Sequence, residues 1–216
     1  MKKGITVLLL VVCFCLPAIA QNISDIGTIL NNTVSRLKAD KGISAEFLLV
    51  MDMTNDIPAE RVNGIIHFID NRFHFMEDGM QAWYDGKTQW TLQDDEGFQE
   101  IYISTPTQED LMSINPYLVL QDNSSFDTSL GNTLKLDGKD VYEILLVEKE
   151  KDNELDMISI IVDVKTYRPL KVTLVFNGNQ INSFIIKNYK TGQEFSDLIF
   201  VCPLSSFSEA DIIDMR

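Results

Sequence analysis

The chain of 216 residues is short of the groups that most enzymes and nucleic-acid binders rely on. It has two histidines, three cysteines and 18 basic residues against 32 acidic ones, a formal net charge of −14. So acidic a chain is poorly suited to phosphate backbones, whose binding depends on neutralising lysines and arginines. The same excess opposes attachment to anionic lipid surfaces. No Gly-x-Ser-x-Gly elbow and no glycine-rich phosphate loop occurs. His67 and His74 fall on neighbouring predicted strands, with Asp70 and Asp78 nearby, yet nothing has the ligand spacing of a zinc site. Paired acids such as Asp94-Asp95 read as solvated hairpin ends, and the serines at 205, 206 and 208 have no histidine near them in sequence. The sequence reads as a non-enzyme, with no metal and no cofactor.

Long apolar runs are also scarce. The first begins at Ile5 and ends near Leu16, shorter than the about 20 residues a spanning helix needs. Lys2 and Lys3 before it and Ala18-Ile19-Ala20 after it make a secretory signal peptide, with cleavage expected between Ala20 and Gln21. Cys13 and Cys15 lie inside this segment and lack the small preceding residue of a lipidation site. Cleavage leaves Cys202 alone, so no internal disulfide can form in an oxidising compartment. Its setting, Phe200-Val201-Cys202-Pro203, reads as the end of a last strand over Leu198–Val201. A buried packing role is expected there rather than a nucleophilic one.

What the sequence does contain is periodicity. Ile23, Ile26, Ile29, Leu30, Val34 and Leu37 recur at helical spacing, with a stop expected at Gly42. The period then changes to two, with Phe47, Leu49, Met51 and Met53 on one strand face. Ile66 and Phe68 share a face with Gly64, and Phe73 and Phe75 follow. Asp78-Gly79, Asp85-Gly86 and Asn177-Gly178 mark tight hairpins, the second predicted as a type I′ turn with Trp83 and Trp90 on one sheet face. Alternation lapses from Thr105 to Leu120, where Glu109 and Asp110 suit a helix start and Pro116 must break the helix. The run Pro116-Tyr117-Leu118-Val119-Leu120 is too apolar to lie bare in water. With about ten strands and two helical regions, the expectation is one domain whose sheet wraps around the helices.

Several motifs, in this order, resemble the periplasmic outer-membrane lipoprotein carrier (LolA) family. They are Gly64, Phe73, Tyr84-Asp85-Gly86-Lys87-Thr88-Gln89-Trp90, Asn115-Pro116-Tyr117-Leu118-Val119-Leu120, Phe200-Val201-Cys202-Pro203 and Asp211-Ile212-Ile213-Asp214-Met215-Arg216. The resemblance implies a mainly β fold with helices (α+β): an unclosed, strongly bent antiparallel half-barrel with an N-terminal helix and a helical lid, over residues 21–216. It implies a periplasmic monomer that takes acylated lipoproteins from an inner-membrane ABC transporter to an outer-membrane receptor. The cavity would be lined by Phe47, Leu49, Met51, Ile66, Phe68, Phe73, Phe75, Trp83 and Trp90. Leu111, Ile114, Tyr117 and Leu118 would form the lid. The family's Lys-Arg-Pro, whose arginine closes the lid, is replaced here by Ile69-Asp70-Asn71-Arg72. The alternative reading is a periplasmic lipid-binding sensor or regulatory module on the same fold.

Overall fold

Switching from helical to alternating periodicity at Gly42 gives the first two elements, α1 (Ile26–Asp40) and β1 (Ile43–Met53). The computed structural model describes residues 25–216, apart from 54–57, 96, 121–122, 133, 151–153 and 178–179. The signal-peptide segment, Ile23 and Gly178 therefore lie outside the described residues. A meander follows: β2 (Glu60–Ile69), β3 (Arg72–Glu77), β4 (Met80–Tyr84), β5 (Gln89–Asp95) and β6 (Phe98–Ser104). Next come α2 (Gln108–Ile114) and a 3₁₀ turn over Pro116–Leu120. A second meander comprises β7 (Phe126–Leu130), β8 (Leu134–Leu136), β9 (Lys139–Glu148), β10 (Leu155–Asp163), β11 (Pro169–Phe176) and β12 (Gln180–Lys190). Two further 3₁₀ turns, Asp197–Phe200 and Leu204–Ser206, lead to β13 (Asp211–Asp214). No described helix is long and apolar enough to cross a membrane.

Among the described residues all thirteen strands form one sheet, in the order β13-β6-β5-β4-β3-β2-β1-β12-β11-β10-β9-β7, with β8 also on β9. The ends of this order do not pair with each other, so the sheet is unclosed. Three expectations are corrected. The sheet is not wholly antiparallel, because β13 runs parallel to β6. Leu198–Val201 is not a strand; Asp197–Phe200 is a 3₁₀ turn capped by the Ser196 hydroxyl, which accepts from the Leu198 N–H. The Asp85-Gly86 connection is a four-residue loop closed by the Tyr84–Gln89 pair, not a two-residue type I′ turn. There Asp85 keeps a negative φ while its carboxylate accepts 2.8 Å bonds from the N–H groups of Lys87 and Thr88.

Strand β1 joins the two meanders, pairing with β2 on one side and β12 on the other. Phe47 sits at this junction, opposite Gly64 on β2 and Ile186 on β12, where the β1–β12 register shifts by a bulge. Its ring stacks on Phe75 (centroids 5.0 Å) and meets Phe184 edge-on at 5.7 Å. Only a glycine opposite leaves room. A Cβ at residue 64 would run into the Phe47 ring and lie 2.7 Å from the Met76 carbonyl oxygen. Gly64→Ala is therefore expected to lower stability by about 1–3 kcal/mol through overpacking, read as a lower urea midpoint. An unchanged midpoint would show that the Phe47 ring does not depend on this gap.

Candidate functional site

Alternation places Ile43, Ala45, Phe47, Leu49 and Met51 on one face of β1, with Ile66 and Phe68 beside them on β2 and Phe73 and Phe75 on β3. These side chains share one apolar core with Phe184 of β12, Val172 and Leu174 of β11, Ile158 and Ile160 of β10, Ile144 and Leu146 of β9 and Phe126 of β7. One face of the sheet therefore gathers strands from both meanders around a common interior. Ile29 of α1 is fully buried there, with Ile26, Leu30, Val34 and Leu37 packed against it.

The interior is closed over by residues 107–120. Thr107 and Asp110 form a capping box: Thr107 N–H donates to the Asp110 carboxylate at 2.8 Å, and Asp110 N–H donates to the Thr107 hydroxyl at 3.2 Å. The helix ends after seven residues because Asn115 precedes a proline, which pushes it out of helical geometry to φ −125°, ψ 82°. Leu111 and Ile114 pack against the core, and Met112, Leu118, Val119 and Leu120 are buried in it. The Tyr117 side chain lies outside the described residues. Met112, Val119 and Leu120 were not among the expected lid residues, although the apolar run at 116–120 already required a covering role.

Trp83 and Trp90 do pair across the β4–β5 hairpin on one face, but it is the opposite face. Trp83 belongs to a second core with Leu92, Ile101, Ile103 and Cys202, against which Trp90, Leu204 and Phe207 pack. Neither tryptophan therefore faces the interior lined by Phe47 and Phe75. The physical reason is the C-terminal segment, which covers this face and gives the sheet a second apolar layer. Phe195 and Phe200 continue it, the Arg72 guanidinium lying 5.0 Å over the Phe200 ring and pairing with Asp197. Arg72 thus faces the C-terminal segment. Burial pushes the Cys202 thiol up to about 11, which disfavours a thiolate nucleophile.

The interior is nearly full. Between α1, the start of β1, the end of β2 and the 3₁₀ turn lies a cavity of about 50 Å³, lined by Val34, Leu37, Ile43, Phe68, Asn115 and Leu118, with Lys38, Lys41 and Asp70 at its rim. A second, about 10 Å³, is enclosed by Phe47, Ile66, Phe75, Ile114, Phe184 and Ile186, again with Asn115. Ligand pockets usually measure about 300–1,000 Å³, so a chain-like ligand requires displacement of something now inside. Among the described residues no group of three His, Cys, Asp or Glu side chains is arranged to hold a metal.

What holds the two helical pieces differs. The Asp40 side chain, 2% exposed, takes Arg36 at 2.7 Å and both Nε (3.2 Å) and Nη2 (3.1 Å) of Arg168, whose guanidinium lies over the Tyr189 ring. The Asp40 carbonyl also accepts from Gly192 N–H at 2.7 Å. The end of α1 is thereby fixed to the sheet. Residues 107–120 meet the interior through Leu111, Met112, Ile114, Leu118, Val119 and Leu120.

The sequence profile of the outer membrane lipoprotein carrier protein LolA family matches residues 16–178. The chain belongs to this family. It is a divergent LolA-like member, and the match ends before β12, so the C-terminal layer lies beyond it. No curated protein sequence matches significantly. Among solved structures, an uncharacterised conserved protein from Thermus thermophilus is similar with a TM-score of 0.55 at 9% identity, over 85% of this chain and 98% of that one. That likeness concerns the fold. A LolA superfamily protein from Nitrosomonas europaea also matches (TM-score 0.45, 10% identity, 83% and 98% covered). So does the lipoprotein LppX of Mycobacterium tuberculosis (0.44, 10%, 79% and 99%).

On the outer face, His74 stacks on Trp83 at 4.8 Å and its Nε2–H donates to the Gln81 carbonyl at 3.2 Å, with His67 beside it under Phe195. Burial pushes His74 down to about 4; the Gln81 contact opposes the shift and charge on His67 adds to it. Burial also lowers His67. The unfolded chain takes these protons near pH 6.5, the folded chain only at lower pH. Stability is therefore expected to fall as pH drops from about 6.5 towards 4. The urea midpoint should decrease across that range, and His74→Gln should flatten the decrease. An equal slope in the variant would remove His74 as its source.

Proposed function

We propose that this LolA-family chain is a periplasmic carrier of acylated lipoproteins, holding acyl chains between the concave face of β1–β3 and β12 and the segment 107–120, which acts as a lid. The observation that carries this reading is the way that segment is held. It covers the interior with the apolar side chains of Leu111, Ile114, Leu118 and their neighbours. Apolar contacts of this kind are non-directional, and an acyl chain offers the same apolar surface in exchange. Phe47, Leu49, Met51, Ile66, Phe68, Phe73 and Phe75 would line the opened cavity.

A carrier suits the energetics. Burying acyl chain is worth ~0.8 kcal/mol per methylene, so about ten methylenes hold a lipoprotein on its membrane by ~8 kcal/mol. The protein must supply comparable apolar surface and still release its cargo, which a filled interior under a displaceable lid allows: the lid's own side chains refill the space. The acidic surface disfavours direct membrane binding, which fits hand-over by protein partners, an inner-membrane transporter as donor and an outer-membrane receptor as acceptor.

The test is release. Purified chain lacking residues 1–20 is added to spheroplasts whose lipoproteins carry labelled palmitate, and the supernatant is assayed for labelled protein bound to it. Dose-dependent release is expected, with at least a tenfold loss for Leu118→Glu at unchanged far-UV circular dichroism. Binding of free acyl lipid without release of any lipoprotein would contradict the carrier role and point to a lipid-binding sensor module instead.

A further inference from the structure

Asn115 is 1% exposed, and neither its Nδ2 nor its Oδ1 has a hydrogen-bond partner. Its backbone is satisfied: the N–H donates to the Leu111 carbonyl at 2.8 Å, and its carbonyl accepts from Leu118 N–H at 3.0 Å. The side chain alone is left over, and buried amides are rarely left so. Its position is informative. Asn115 lines both interior cavities, the one beside Lys38 and Lys41 and the smaller one against Phe47, Phe75 and Phe184.

We propose that Asn115 is the polar anchor of the acyl site and selects ligands whose acyl chain is joined through an amide. This deepens the carrier reading and rests on it. A carboxamide presents one donor group and one acceptor. A secondary amide in the ligand presents the complement of both: its carbonyl oxygen accepts from Asn115 Nδ2–H, and its N–H donates to Asn115 Oδ1. An ester or a carboxylate offers acceptors only and leaves Oδ1 unpaired in an apolar surround. The segment carrying Asn115 moves off the sheet as a unit, the acyl chain takes its place against Phe47 and Phe75, and the amide pairs with Asn115 on the displaced segment.

The experiment is calorimetric titration of the chain lacking residues 1–20 with two carboxylate-ended ligands, N-palmitoylglycine and palmitate. The wild type is expected to bind N-palmitoylglycine about tenfold more tightly. In Asn115→Leu, which keeps the branched shape without the amide, that ratio is expected to collapse to about one. A ratio near one in the wild type, or a preference retained in the variant, would overturn the anchor and leave lipid binding standing. Failure of the wild type to bind either ligand would overturn the carrier reading itself. A measurement on the wild type alone guards against a misfolded variant. The infrared band of N-palmitoylglycine labelled with ¹³C at its amide carbonyl should shift down on binding relative to the amide in an apolar solvent. A band left at the apolar-solvent position would overturn the proposal.

Discussion

The packing of Phe47 into the gap left by Gly64 is the contact on which the rest of the architecture depends. Among the described residues β1 is the only strand that joins the N-terminal meander to the C-terminal one, and Phe47 is where the aromatic side chains of both meet it. Without that close approach the faces of β2–β3 and β11–β12 would not share an interior. The sheet would then have no concave side for helices to fill. The bulge between Glu46 and Phe47 adds the local bend. A single missing side chain thus sets the shape in which any ligand must fit.

Two helical pieces fill that shape, α1 and segment 107–120. The end of α1 is fixed by a buried carboxylate with two guanidinium partners, and removing one partner of such a cluster typically costs about 3–5 kcal/mol. Segment 107–120 packs through Leu111, Met112, Ile114, Leu118, Val119 and Leu120. Its capping box and proline break organise it internally. In the proposed carrier role this segment would exchange one set of apolar contacts for another, which would keep both capture and release within a small free-energy range.

Much of this was legible in the sequence. Strict alternation along β1–β3 identified which residues share a face, glycine-bearing turns located the hairpins, and Pro116 marked the broken helix. Alternation could not say which face of β4 and β5 would be interior. Trp83 and Trp90 were rightly placed together and wrongly placed inside, because the covering layer comes from Cys202, Leu204 and Phe207, far along the chain. The fixing of α1 was hidden for the same reason, since Asp40 and Arg168 are 128 residues apart. Asn115 was visible only as the residue before a proline; that its amide faces two cavities follows from the turn that the proline imposes.

Amide hydrogen exchange across residues 107–120, with and without N-palmitoylglycine, tests most directly whether a ligand gains the interior by displacing this segment. Ligand should accelerate exchange at Leu111 to Leu120 while β1, β2 and β12 stay protected. Slower exchange in the segment, with the ligand bound and the strands unchanged, would contradict displacement and place the acyl chain elsewhere on the molecule.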